Sequence, residues 1–142
     1  MLNVAGPPQV FGRWLMLWLL SAVLVGCAAL APVPPEEAVK RRAQERWAAL
    51  IAGDWDKAYD YMAPSFRALV ERKRFANQFG GGAAWESAEV VGVSCPESDR
   101  CIATIKIAFR PVLGVRRGEP MSTHFEETWL REEGQWWLYQ KL

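Results

Sequence analysis

Few side chains in this sequence can do chemistry, and their spacing limits what that chemistry is. There is one histidine, His124, and there are three cysteines, Cys27, Cys95 and Cys101. Two cysteines and a distant histidine do not supply the four ligands of a structural zinc ion. Five residues separate Cys95 from Cys101, so the pair lacks the Cys-x-x-Cys spacing of a redox catalyst. The intervening Pro96-Glu97-Ser98-Asp99-Arg100 is rich in turn formers and lies between two strand-like runs. A Cys95–Cys101 disulfide across a hairpin end is therefore expected in an oxidising compartment.

The candidates for proton transfer are Glu127, His124 and Tyr59. Strand alternation in His124-Phe125-Glu126-Glu127-Thr128-Trp129 puts Phe125, Glu127 and Trp129 on one face and His124 on the other. If the aromatic face is inward, His124 points out or packs under a neighbour. A carboxylate on that inward face either lines a pocket with a raised pKa or pairs with a nearby arginine, pairing being the commoner case. Tyr59 could donate a hydrogen bond to a ligand carbonyl, although a core tyrosine is more often satisfied locally. No glycine-rich phosphate loop, nucleophile elbow or metal cluster is present, and Gly80-Gly81-Gly82 follows a helix rather than a strand. No cofactor and no metal are expected.

The elements that must position these groups change period halfway along the chain. Pro32, Pro34 and Pro35 stiffen a short tether. Val39, Ala43, Trp47, Leu50 and Ile51 then recur at helical spacing, Gly53 stops the helix and Asp54 caps the next. Trp55, Ala58, Tyr59 and Met62 share one face of that second helix, which Pro64 breaks. A short turn at 64–70 should carry Phe66 and Leu69 inward, and 71–79 reads as a third helix with Phe75 and Phe79 stacked. Beyond the three glycines, four strands are expected: 85–95, 101–109, 123–131 and 135–140, with a loop over 111–120. The result is an α+β domain, helices packed on a curved four-stranded antiparallel sheet, with Trp47, Trp55, Tyr59, Phe75, Phe125, Trp129 and Trp136 as core or pocket residues. Trp137 and Tyr139, on the opposite parity to Trp136, form a candidate aromatic patch for a partner or a second copy.

The N-terminus reads as an address. Arg13 precedes twelve residues, Trp14 to Val25, with no charge and a single serine. That run is too short to span a ~30 Å hydrocarbon core and has the length of a signal-peptide apolar region. It ends in Leu24-Val25-Gly26-Cys27, which resembles the lipobox of bacterial lipoproteins. The resemblance implies cleavage after Gly26 and acylation of Cys27, so that membrane lipid is a partner through that residue. Residues 1–26 are then a signal peptide, 27–35 the lipidated tether and 36–142 the domain. With Ala28 rather than Asp beside Cys27, the usual sorting rule points to the outer membrane, facing the periplasm. The part after residue 26 carries equal numbers of basic and acidic residues, which gives no electrostatic case for nucleic acid.

Two stretches are similar to a known superfamily. Ala48 to Tyr59 resembles the helix–Gly-Asp–helix corner of bacterial members of the nuclear transport factor 2-like, cone-shaped superfamily. Glu127 to Trp137 resembles their closing hairpin, in which a tryptophan two residues past the turn glycine, here Trp136, packs inward. The resemblance implies an apolar pocket between sheet and helices. It leaves activity open, because this superfamily holds isomerases, dehydratases, transport factors and assembly modules. Two functions are expected from it: a non-enzymatic binding or assembly module at the envelope, or a small-molecule isomerase or hydrolyase using Glu127, His124 or Tyr59.

Overall fold

The computed structural model describes residues 32–78, 83–113 and 116–141. The lipobox and Cys27, Phe79 and the three-glycine stop lie outside them. The first helix, α1, is Pro35–Ala52, with proline at its first position and Glu36 and Glu37 against the positive end of its dipole. It ends at Gly53, whose φ of 74° is a left-handed conformation that glycine adopts without Cβ strain. Its inward stripe is Val39, Ala43, Trp47 and Leu50, joined by Ala49 and Arg46. Ile51, assigned to that stripe by periodicity, is exposed. Asp54 caps α2 (Trp55–Tyr59) by accepting a hydrogen bond from the Lys57 amide at 3.1 Å.

The second helix is shorter than its apolar pattern suggests. The chain leaves helical geometry after Tyr59, and Met62 instead forms a parallel bridge to Leu138. The Leu138 amide donates to the Tyr61 carbonyl at 2.9 Å, and the Ala63 amide donates to the Leu138 carbonyl at 3.0 Å. Helices α3 (Pro64–Leu69) and α4 (Arg72–Asn77) follow. Phe66 and Phe75 are buried, whereas Leu69 points out and is 67% exposed.

The sheet is an antiparallel meander of β1 (Ala83–Glu97), β2 (Arg100–Leu113), β4 (Met121–Glu132) and β5 (Gln135–Tyr139), in the order β1-β2-β4-β5. A two-residue strand, β3 (Arg116–Arg117), pairs with the end of β2, so part of the expected 111–120 loop is sheet. The weak alternation of β1 has a cause: its register against β2 shifts at three places, between Trp85 and Ser87, Val90 and Gly92, and Ser94 and Glu97. β2 alternates as read, with Cys101, Ala103, Ile105 and Ile107 buried. Glu133 and Gly134, both at positive φ (51° and 78°), form the tight turn between β4 and β5. From α1, the Gln44 amide reaches the β1 main chain, donating to the Ala88 carbonyl at 2.9 Å and accepting from the Val90 amide at 3.0 Å. Cys95 and Cys101 form a disulfide that clamps the β1–β2 end.

Candidate functional site

The inward face of β4 carries Phe125, Glu127 and Trp129, and the Arg46 and Trp47 side chains of α1 reach it. Opposite Glu127 in the register is Ala103 of β2, whose methyl group leaves room for the longer acid. The Glu127 carboxylate is engaged at both oxygens. Arg46 donates to Oε1 at 2.7 Å and the Trp47 indole donates to the same oxygen at 2.9 Å. The Trp129 indole donates to Oε2 at 3.3 Å. The ion pair is almost wholly withdrawn from solvent, with 5% of the Arg46 side chain and 7% of the Glu127 side chain exposed.

Burial dominates the electrostatics of this pair. It pushes the Glu127 carboxyl above the ordinary carboxylate range, against the opposing pull of Arg46 and the two indoles. It lowers the Arg46 guanidinium for the same reason, against the pull of Glu127. Arg46 spends one N–H on Glu127 and leaves its buried Nε without a hydrogen-bond partner.

Aromatic rings surround the pair. Trp47 makes edge-to-face contacts with Trp85, at 5.4 Å between centroids, and with Phe125, at 5.5 Å. A cavity of about 590 Å³ opens beside them, lined among others by Arg46, Trp47, Trp85, Phe125, Glu127 and Leu138. The ion pair thus sits in the wall of an aromatic pocket.

The other two candidate groups lie elsewhere. His124 is exposed, on the face of β4 opposite to Glu127, beside Lys106 in the register. Tyr59 is buried, and its hydroxyl donates to the Val70 carbonyl at 2.7 Å, with the Arg67 carbonyl at 3.2 Å. Its ring packs on Phe75 at 5.4 Å and under the Arg72 guanidinium at 4.7 Å. Trp129, Phe75 and Trp136 are buried, while Trp55 is only partly buried. Trp137 is half-buried and is not a bare patch, since the guanidiniums of Arg42 and Arg67 lie 5.4 and 5.0 Å from its ring. The structure therefore gathers Trp47, Phe125, Glu127 and Trp129 and leaves His124 and Tyr59 apart.

The residue that sequence reasoning missed is Arg46. It sits three positions after Ala43 and four before Leu50, on the apolar stripe of α1 itself. A lone cation on such a stripe, facing a sheet with a lone inward acid, was the available signal. Among the described residues, no group of histidine, cysteine and acidic side chains could hold a metal ion, and no helix is long and apolar enough to cross a membrane.

No protein-family model matches the chain, and no curated protein matches it. Solved structures do resemble it. A SEC-C motif-containing protein from Psychrobacter arcticus aligns with a TM-score of 0.59 at 12% identity, over 98% of this chain and 75% of that one. Another SEC-C motif-containing protein, from Rhodopseudomonas palustris, gives 0.56 at 19% identity, over 70% and 73%. A nuclear transport factor 2-like protein with a cystatin-like fold from Novosphingobium aromaticivorans gives 0.49 at 14% identity, over 94% and 87%. At such identities the likeness is one of fold, and the fold is α+β: helices packed on an open antiparallel sheet whose main path has four strands.

Proposed function

We propose that this chain is an envelope lipoprotein, tethered by an acylated Cys27 on the periplasmic side of the outer membrane. In this reading its domain binds a small molecule in the aromatic pocket beside Arg46 and Glu127 and does not transform it. The observation that carries the binding role is the state of Glu127: an acid whose two oxygens already accept three hydrogen bonds is a fixed wall of the pocket. The enzymatic alternative needs several polar groups converging in one hollow. His124 is exposed on the far face of the sheet and the Tyr59 hydroxyl is bonded to main-chain carbonyls, which weighs against it.

Radiolabelled palmitate tests the anchor: the wild-type chain takes up label and Cys27→Ala does not. Equal labelling of both overturns the lipoprotein reading. Native mass spectrometry of the protein extracted from its own membranes tests the binding role. A mass excess beyond the acyl groups, released on denaturation, is expected, and a chain carrying none refutes it.

A further inference from the structure

The charges around the pocket say what kind of molecule it holds, given the binding role proposed above. Its lining contains four formally charged residues, Arg46, Glu126, Glu127 and Lys141, two of each sign. The buried positive charge, Arg46, is already neutralised by Glu127 at 2.7 Å. A ligand carboxylate or phosphate placed against Arg46 would share that low-dielectric space with Glu127, and two like charges so close disfavour each other strongly. A ligand cation would meet Arg46 in the same way. Formal charge on the ligand end beside Arg46 is therefore disfavoured.

Hydrogen-bonding capacity remains. Arg46 lines the cavity and has five N–H donors, of which one is given to Glu127; its Nε is enclosed by protein, so the donors a ligand can meet are those of the terminal nitrogens. A neutral oxygen delivered by a ligand can accept from one of these terminal donors without bringing charge. The walls around it are the rings of Trp47, Trp85 and Phe125. We infer that the pocket takes an uncharged aromatic molecule whose carbonyl or similar neutral acceptor faces the Arg46 guanidinium.

Three probes with one ring system test this: 2-naphthamide, 2-naphthoate and naphthalene. Each is titrated, at equal free concentration, into the intact ¹⁵N-labelled chain, and the indole N–H resonances of Trp47 and Trp85 are followed. The amide is expected to move both resonances and to bind at least tenfold more tightly than the carboxylate and severalfold more tightly than naphthalene. Arg46→Lys keeps a charge and donors but loses the planar fork and its reach, so it should reduce the advantage of the amide over naphthalene. Where that variant does not fold, the wild-type series alone decides. Tighter binding of 2-naphthoate overturns the neutral-ligand inference and leaves the binding role standing. Equal binding of amide and naphthalene overturns the acceptor. No movement with any probe at millimolar concentration overturns the inference and the pocket reading together.

Discussion

Replacing Glu127 with leucine removes the acceptor for three donors at once, and the structure allows the cost to be worked out. Arg46 would keep a cation in a site where 5% of its side chain is exposed. Breaking a buried pair in this way costs about 3–5 kcal/mol, because the surviving charge is uncompensated. The Trp47 indole, bonded at 2.9 Å, would lose its acceptor as well, while the 3.3 Å bond from Trp129 is weaker and contributes less. Removing the charge too, in Arg46→Met/Glu127→Leu, eliminates the uncompensated ion. The residual deficit of the double variant should then be about 1–3 kcal/mol, the cost of a buried indole N–H with no partner. Glu127→Gln keeps an acceptor oxygen for Arg46 and Trp47 but also leaves the Arg46 charge without its counter-ion, so it should be destabilising at neutral pH, and less so than the leucine variant by about 1 kcal/mol for each hydrogen bond it retains. Urea denaturation followed by tryptophan fluorescence and by circular dichroism measures all three. A leucine variant within about 1 kcal/mol of wild type, or a double variant no more stable than the single one, refutes the reasoning.

The raised Glu127 pKa gives a signed pH dependence. The folded chain holds the Glu127 proton more tightly than the unfolded chain, so this group's contribution is fully present below the ordinary carboxylate pKa of about 4.3 and is lost as pH rises through the raised value. Wild type should therefore gain stability relative to Glu127→Gln as pH falls through that window, and a relative loss on acidification contradicts the assignment. The Cys95–Cys101 bridge closes a short loop with a sequence separation of 6, for which loop-closure entropy gives about 2 kcal/mol. Thiol alkylation of the folded protein should reveal two additional reactive groups after reduction, and Cys95→Ser/Cys101→Ser should lower stability by about that amount in denaturant; unchanged alkylation means the thiols are free.

Local patterns were legible where one face alone decides burial. The helical stripe Val39–Ala43–Trp47–Leu50 and the alternation Cys101–Ala103–Ile105–Ile107 follow from period alone. The inward placement of Glu127 beside Phe125 and Trp129 follows from the same period of two. What escaped is non-local. Tyr61–Ala63 continues a helical apolar pattern, yet its main chain pairs with Leu138, seventy-odd residues away, and no window around position 62 contains that partner. Arg46 escaped because charge normally marks the solvent side of a helix, and only its meeting with Glu127, 81 positions on, makes burial tolerable. Hydrophobicity places Leu69 inward, but α3 spans a single turn and a half and Phe66 is its one buried residue.

An open sheet has two outer strands, and each unpaired rim can recruit the rim of another molecule into an endless ribbon. Here both rims are partly covered among the described residues. The backbone of Tyr61–Ala63 lies along β5, and the Gln44 side chain imitates a neighbouring strand by satisfying a carbonyl and an amide of β1, which its register shifts also bend out of line. Gln44→Ala would free the Ala88 carbonyl and the Val90 amide on the outer rim of β1 and so widen the stretch on which a second copy could pair.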